Sequence, residues 1–561
     1  MSATTPFPDD ATRSTHEVTN QPPPLGGADG PYNAFTSDRA LQDAVAREGG
    51  DWGADRLSAF GAIAGDSLFD TGRLANENPP TLRAFDRYGH RLDEVEFHPA
   101  WHESMRLAKE NGLHSLTWTD DRPGAQVVRS ALAYLHNQFE AGSMCPITMT
   151  HACVPALRRQ PDVAEQWLPG ILANAYDPHC RPADRKTGLT IGMGMTEKQG
   201  GSDVRANTTQ AVAIDRKGPG EAYRLTGHKW FFSAPMCDGF LVLGQTDQGL
   251  SCFLLPKWTP EGERNRIEIQ RLKDKLGDKS NASSEVEFRG AFGWMIGEPG
   301  RGVPTILDMV AQTRLDCVLG SAGLMRQSLV QALHHCAYRE AFGGRLIDKP
   351  LMQNVLADLS LESEAAVALA LRLARAFEAG ARGDESEQQL ARLAMPVAKY
   401  WVCKRTPATV NEAQECMGGA GYVEESILPR LYRQAPLNSI WEGSGNVQCL
   451  DVLRVLSRDR DCFDTLRLQL HAARGLNEEY DAHIERLDRA MTDTASLEVR
   501  ARSVTADIAL ALQASLLLQA ESSVVAQAFC RSRLNGQGPA AFGTLPADVD
   551  LQALVDRAMP H

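Results

Sequence analysis

Between about Ala183 and Gly302 this chain of 561 residues changes its hydrophobic period, and that change limits what it can fold into. On either side, apolar residues recur at helical spacing in stretches broken by Pro and Gly. Inside the block, Glu285-Val286-Glu287-Phe288 alternates, and Phe240-Leu241-Val242-Leu243 runs apolar as a buried strand does. The pattern predicts an α+β multidomain chain: an N-terminal arm and helical domain over 1–182, a central β domain over 183–302, a helical bundle over 303–456, and a further helical extension over 457–561. Residues 1 to about 40 carry Pro22-Pro23-Pro24 and Gly26-Gly27 and read as an extended arm. In the extension, Ile508 to Leu518 places Ala and Leu at helical spacing. No internal repeat and no low-complexity block is visible.

Size and composition agree with that division. A chain this long needs about three or four cores, and its apolar share of 43% is ordinary for a globular protein. It has no run of 18 uncharged apolar residues, so no membrane span is expected. Met1 to Ala11 is polar, without the apolar centre of a signal peptide. Twelve cysteines lie scattered without CxxC pairs, which argues against a zinc site or a disulfide framework and makes the cytoplasm the expected location.

Two segments carry chemistry. Asn438-Ser439-Ile440-Trp441-Glu442-Gly443-Ser444-Gly445-Asn446 puts one carboxylate between an indole and a Gly-Ser-Gly turn. Trp441 would shield Glu442 from water, raising its pKa so that it takes a proton near neutral pH. Gly443 and Gly445 let the backbone approach a ligand or adopt positive φ. The same nonapeptide also reads as a plain helix-connecting turn. Far upstream, Leu189-Thr190-Ile191 enters the loop Gly192-Met193-Gly194-Met195-Thr196-Glu197-Lys198-Gln199-Gly200-Gly201-Ser202-Asp203. Its glycines would let a flat ring lie on the main chain, and it offers backbone N–H groups and two hydroxyls. Tyr223 to Ser233 then reads as a β segment ending in the aromatic cluster Trp230-Phe231-Phe232-Ser233.

In this order and at these separations, the segments resemble the acyl-CoA dehydrogenase superfamily of flavoproteins, most closely its adaptive-response AidB branch. The resemblance covers nearly the whole chain, including Asn20 to Leu25, Arg271 to Gly277 and the C-terminal extension. It implies FAD as cofactor. The flavin contacts it implies are Met193, Met195, Thr196, Gly200, Gly201, Ser202, Phe231, Phe232 and Ser233. Around the catalytic turn it adds Ile440, Trp441, Gly443, Ser444, Gly445 and Asn446. Glu442 becomes the base for the α proton of an acyl thioester, with flavin N5 accepting the β hydride on the opposite face. The thioester carbonyl would be held by the Glu442 N–H and a ribityl hydroxyl. Thr196 would bond the isoalloxazine edge, and Ser202 a pyrophosphate oxygen.

Arg339-Glu340-Ala341-Phe342-Gly343 matches the family's segment that meets a neighbouring subunit's FAD, with the Arg339 fork suited to phosphate. It also reads as a helix end, stopped by Gly343 and Gly344. Gln353 falls about three residues late for the family's usual Gln. Gln414 to Tyr422 resembles the second cross-subunit contact. His334-His335 lacks a second ligand cluster at metal spacing. The Lys and Arg residues from Lys257 to Lys279 alternate with acids, as on a solvated face.

Two functions follow. The AidB resemblance implies a homotetrameric FAD protein of the alkylation response, binding double-stranded DNA through its C-terminal domain, with at most weak dehydrogenase activity on isovaleryl-CoA. The alternative is a metabolic acyl-CoA dehydrogenase with no DNA role. Charge does not by itself favour DNA: the chain carries −13. From Arg458 to His561, eleven Arg, no Lys and fifteen acidic residues leave −4. The arginines do pair locally, at Arg458/Arg460, Arg486/Arg489, Arg500/Arg502 and Arg531/Arg533, and a field depends on distribution as well as sum. Arg458, Arg460, Arg500 and Arg502 are the candidate DNA contacts; a helical oligomerisation domain is the other reading of the tail.

Overall fold

The computed structural model describes residues 22–26, 31–520, 522–536 and 541–560. Most of the expected arm lies outside these residues. Of the rest, the Pro23 carbonyl accepts a hydrogen bond from His334 (2.7 Å), and Leu25 packs on the helical core.

The N-terminal block holds helices α1 (Arg39–Arg47), α2 (Ala54–Gly65), α3 (Ser67–Glu77), α4 (Pro99–Glu110), α5 (Leu116–Thr119), α6 (Ala125–Asn137), α7 (Met144–Leu157) and α8 (Pro161–Leu172). Asp38 caps α1 by accepting from the Leu41 N–H (3.1 Å), and Pro99 and Pro161 open α4 and α8, where a missing N–H costs little. The reading of this block as purely helical needs correction. Strands β1 (Thr81–Phe85) and β2 (Arg91–Glu96) form an antiparallel hairpin, whose turn Asp86 closes by accepting from the N–H groups of Tyr88 and His90. Arg83, Arg91, Glu94 and Glu96 leave these strands without a clean apolar alternation, so the period did not reveal them.

The central domain contains β3 (Ile191–Thr196), β4 (Gln210–Ala213), β5 (Ala222–Ser233), β6 (Gly239–Thr246), β7 (Gly249–Pro256), β8 (Ile267–Leu272) and β9 (Ser283–Ile296). Strand β3 runs antiparallel to β5, β5 to β9, β9 to β7 and β7 to β6, while β6 lies parallel to β3 and closes the ring. The result is a barrel, with β4 joined to β5 and β6, and β8 to β9. Phe232, Phe240, Phe253 and Phe288 fill its core. A side chain at Gly192 would meet the Phe240 ring, and one at Gly194 the Phe232 ring. The space over these glycines therefore belongs to the protein's own aromatic core, not to a ligand ring.

Helices resume with α9 (Gly302–Tyr338). After the two-residue strands β10 (Glu340–Ala341) and β11 (Gly344–Arg345) come α10 (Pro350–Ala381), α11 (Glu385–Cys416), α12 (Gly419–Tyr422), α13 (Leu428–Gln434) and α14 (Gly445–Arg458). The extension adds α15 (Arg460–His471), α16 (Glu478–Thr492), α17 (Ala501–Leu518), α18 (Ser523–Arg533) and α19 (Leu551–Ala558). Among the described residues it has no core of its own. Its apolar residues join one core with the bundle and the N-terminal helices, while the barrel with α7 and α8 makes a second. By length and composition α17 is apolar enough to cross a membrane, yet Ile508, Ala509, Ala511 and Leu517 are buried within the fold. Arg533 anchors the tail through a buried pairing with Asp358 and Glu362 of α10.

One buried ion pair ties the loop after β3 to the barrel. Lys229 and Glu197 are both fully buried, 2.8 Å apart, and Lys229 also donates to the Leu243 carbonyl (2.9 Å). Burial pushes the Glu197 carboxyl up, but the Lys229 charge and the bonds from Lys229, Thr209 and Thr208 outweigh it and bring it to about 2. Removing one partner of such a pair strands a buried charge. Lys229→Met is therefore expected to destabilise the protein by about 3–5 kcal/mol, read by chemical denaturation. A depressed carboxyl stabilises most above its unfolded pKa. The defect should be full at neutral pH and shrink as pH falls from the ordinary Glu range towards about 2; a variant as stable as the parent at neutral pH would contradict this.

Candidate active site

The turn between α13 and α14 presents Glu442 in an uncommon backbone conformation. Its φ is +57°, a left-handed value that costs a non-glycine residue about 1–3 kcal/mol unless its surroundings hold it. They do. Lys399, in the middle of α11 and 1% exposed, donates from Nζ to the carbonyls of Trp441 (2.7 Å) and Gly443 (2.6 Å). Arg314 of α9 donates to the Glu442 carbonyl (3.0 Å) and pairs with Asp451 of α14 (3.1 Å). Gln448 donates to the carbonyls of Glu442 and Gly443, both at 3.0 Å. Gly443 takes φ +98°, and a side chain there would press on Gln448.

The carboxylate accepts a hydrogen bond from Thr313 Oγ1 (2.7 Å) and faces a cleft. Loss of solvation raises its pKa above the usual Glu value, opposed by the Thr313 bond and by the charges of Arg314 and Lys399. Trp441 flanks it, fixed by an indole N–H donated to Asn438 (2.8 Å), which in turn donates to Ser321 (3.2 Å).

The cleft, counted with the open space at its mouth, spans about 640 Å³ at the seam between the two cores. Met144, Cys145 and Met149 of α7, Leu324 of α9, and Met193 and Ser233 of the barrel line it with Trp441 and Glu442. A wall of the cleft is fixed by Asp316, which takes a two-armed bond from buried Arg129 and a hydrogen bond from Thr148 (2.5 Å). Asp278 also lines it; burial lifts this carboxyl to about 6, against the nearby Lys275 charge.

The two upstream segments meet as neighbouring strands. Met193 pairs with Ser233, and Thr196 with Phe231, across a bulge at Met195. Phe231 is half exposed, with Lys273 Nζ 4.5 Å from its ring centre and 3.7 Å from that of Trp230. Beyond them the exposed turn of Gly200, Gly201 and Ser202 has open space above Gly200, at φ +138°. This gives a half-exposed aromatic ring next to Thr196, main-chain N–H groups beyond it, and Lys273, itself paired with Glu285 (2.7 Å), beside it. Those features fit a flavin ring and its phosphates. Phe232, grouped with these contacts from sequence, belongs elsewhere: strand alternation turns it into the barrel core, where it meets Phe240 at 4.5 Å.

Ser444 stands just before α14 without a side-chain capping bond, Gly445 begins the helix, and Asn446 is exposed beside them. Ile440 is largely exposed. Arg339 ends α9 and is exposed, and Phe342 and Gly343, both at positive φ, turn the β10–β11 hairpin. The glycines expected to stop the helix thus form a hairpin after it. Gln353 donates to Gln552 of the tail (2.9 Å), and Gln414 to the Gly421 carbonyl (2.8 Å).

The tail arginines divide. Arg458 and Arg460 are exposed at the α14–α15 junction and make no ion pair among the described residues. Arg500 instead closes its own turn, donating to Ser496 and to the carbonyls of Ala490 and Asp493. Arg502 donates to Asn446 (2.8 Å), which attaches the tail to the candidate site. Sequence reasoning missed Thr313, Arg314, Lys399, Gln448 and Asp278. One signal existed: Lys399 stands alone among Met395-Pro396-Val397-Ala398 and Tyr400-Trp401-Val402-Cys403. Among the described residues no cluster of His, Cys, Asp and Glu suits a metal ion.

Comparison with known proteins agrees with this architecture. The adaptive response protein AidB N-terminal domain matches residues 20–178, the acyl-CoA dehydrogenase middle domain 192–291, and the acyl-CoA dehydrogenase C-terminal domain 300–457. AidB of Escherichia coli (strain K12) is 47% identical over 93% of this chain and 95% of its own. Acyl-CoA dehydrogenase family member 11 of Caenorhabditis elegans is 34% identical over 72% of this chain and 66% of its own. The structure of Caenorhabditis elegans ACDH-11 in complex with C11-CoA superposes with a TM-score of 0.85 at 27% identity, covering 93% of this chain and 94% of that one. The chain belongs to the acyl-CoA dehydrogenase family of FAD-dependent oxidoreductases, in its AidB branch.

Proposed function

We propose that this protein dehydrogenates an acyl thioester at its α and β carbons, with Glu442 as the base. The observation that carries this reading is Glu442 itself: a carboxyl held in a costly conformation, solvated poorly, and aimed into a cleft lined by Met144, Cys145, Met149 and Leu324. Strain kept at one residue by three others marks a functional position. The ACDH-11 structure holds C11-CoA, which supports an acyl-CoA here.

FAD would rest on Met193, Met195, Thr196, Gly200, Gly201, Ser202, Phe231 and Ser233, with Trp441, Gly443, Ser444, Gly445 and Asn446 beside it and Arg339 reaching a neighbouring subunit's. When bound, it supplies the two-electron acceptor for the β hydride. The chain does the rest. The Glu442 carboxylate takes the α proton, and Thr313 orients it while leaving one oxygen for that task. Trp441 keeps water from the base. The Glu442 N–H would hold the thioester carbonyl as negative charge develops there. A homotetramer is part of the proposal, supported by the exposed apolar side chains of Phe342, Leu351 and Tyr422 near the family's cross-subunit segments.

We further infer that the protein serves an alkylation response and binds double-stranded DNA through its extension. The supports are the AidB match and the exposed pair Arg458 and Arg460. Phosphate contact by arginines would give affinity with little sequence preference.

Glu442→Gln should keep FAD and fold but lose anaerobic flavin bleaching by acyl-CoAs such as isovaleryl-CoA by at least a hundredfold, since general bases contribute 10²–10⁴-fold. In the parent, bleaching should rise with pH as the carboxyl deprotonates, with its inflection above the ordinary Glu range. A parent that no acyl-CoA bleaches would remove the dehydrogenase reading.

Glu442→Gly tests the strain. Glycine takes positive φ freely, so this inactive variant should be as stable as the parent or up to about 1 kcal/mol more so in denaturant titrations. A clear loss of stability would mean that the turn is not strained.

For DNA, Arg458→Glu with Arg460→Glu should weaken duplex binding and lower the log–log salt slope by roughly 0.9 for each lost phosphate contact, with FAD content unchanged. Absence of binding by the parent at low salt would leave the tail as scaffold alone.

A further inference from the structure

The polar side chains lining the cleft are not all provided for. Thr313 donates to Glu442, Thr148 to Asp316, Asn438 to Ser321, and Asn137 to the Ala133 carbonyl (2.8 Å). Two others stand apart. Asp278 is 6% exposed and Gln434 3% exposed; both line the cleft, and neither Asp278 Oδ1 nor Gln434 Nε2 has a hydrogen-bond partner among the described residues.

The fold brings this pair together. Gly277 packs so closely on the end of α13 that a Cβ there would lie 2.6 Å from the Arg433 carbonyl oxygen and 2.9 Å from the Gln434 Cα. Asp278, next in sequence, is itself left-handed at φ +48°. A close approach and a disfavoured backbone are thus both maintained where a carboxyl and a carboxamide meet the cavity. The corner belongs to the same cleft as the base: Asp278, Gln434, Cys145 and Glu442 all line it.

We propose that Asp278 and Gln434 bind a hydroxyl on the acyl chain, so that the cleft selects hydroxyacyl thioesters over plain alkyl ones; this rests on the acyl-thioester reading above. The chemistry chooses the group. Asp278 Oδ1 accepts and Gln434 Nε2 donates, and a hydroxyl is donor and acceptor at once. A carboxylate would face Asp278 as a like charge, and an ammonium offers nothing to Gln434 Nε2. An alkyl chain would leave both buried groups unpaired, which is how a site built for a hydroxyl rejects the analogue lacking it.

The test uses the FAD-loaded protein with butanoyl-CoA, 4-hydroxybutanoyl-CoA, hexanoyl-CoA and 6-hydroxyhexanoyl-CoA, whose terminal hydroxyls leave the α and β hydrogens in place. In the parent, kcat/KM from flavin bleaching should favour the hydroxylated member by about tenfold or more at one chain length, a difference of about 1.4 kcal/mol. Asp278→Leu with Gln434→Met should reverse that preference. Asp278→Asn, which keeps a hydrogen-bonding group and tolerates positive φ, should retain most of it, and this guards against misfolding of the apolar double variant. Equal rates for both members at both lengths, or an unchanged ratio in the double variant, would overturn the proposal. If no thioester bleaches the flavin, the dehydrogenase reading fails separately. The corner is then read from binding, as the shift of the flavin spectrum on titration with each pair. Tighter binding of the hydroxylated member sustains the proposal, and equal or no binding overturns it.

Discussion

The ammonium of Lys399 lies between the carbonyls of Trp441 and Gly443, and the geometry of the site depends on that contact. A left-handed glutamate flanked by glycine would otherwise relax, since one residue's side chain cannot hold a three-residue turn against its backbone preference. Lys399 fixes the residues before and after it, and Arg314 and Gln448 fix the Glu442 carbonyl. Arg314 also reaches Asp451, which Arg392 pairs from α11 at 2.9 Å, so α9, α11 and α14 close on the turn from three sides. Among the described residues the carboxyl is left with a single neutral donor, Thr313. Lys399, Arg314 and Gln448 hold the backbone, and only one hydroxyl holds the side chain, which keeps the base both placed and reactive.

Helix α9 is the element through which the two cores communicate. It carries Thr313 and Arg314 for the turn and Asp316 for the wall of the cleft, and it packs against α7 from the N-terminal block and against the barrel. The cleft opens where these surfaces fail to fill space. Its walls come from several elements of separate origin, and buried polar pairings anchor elements on two sides of it. Arg129 with Asp316 holds the helical side, and Lys229 with Glu197 holds the loop that follows β3. Such pairs add little net stability compared with apolar contacts, but breaking one strands a buried charge, which disfavours other arrangements. That property suits a site whose parts arrive from remote positions in the chain.

The extension is bound into the same construction. Its apolar face completes the core shared with the bundle, and Arg533 and Arg557 reach acids on α10. Arg502 meets Asn446 at the head of α14, so the tail touches the turn region directly. Several arginines that look available in sequence are therefore structural. Arg458 and Arg460 stay exposed without an ion pair among the described residues, whereas exposed Arg489 lies 3.9 Å from Glu485 and exposed Arg502 bonds Asn446.

The sequence alone determined the order of helical, β and helical blocks, because hydrophobic period is a local property. It also located the turn around Glu442 and the loop after β3, whose residue types form unusual local strings. It missed the β1–β2 hairpin, where charged strands leave the alternation weak. It grouped Phe232 with the cofactor contacts, although strand alternation buries it between Phe231 and Ser233. The meaning of Gly192 and Gly194 was hidden for a different reason: what occupies the space above them is Phe240 and Phe232, supplied by other strands. Lys399, Arg314, Gln448 and Asp278 were decided only by the tertiary structure. Each acts on a group that chain separation conceals, and hydrogen bonding and burial are properties of distance in space, which a linear pattern does not carry.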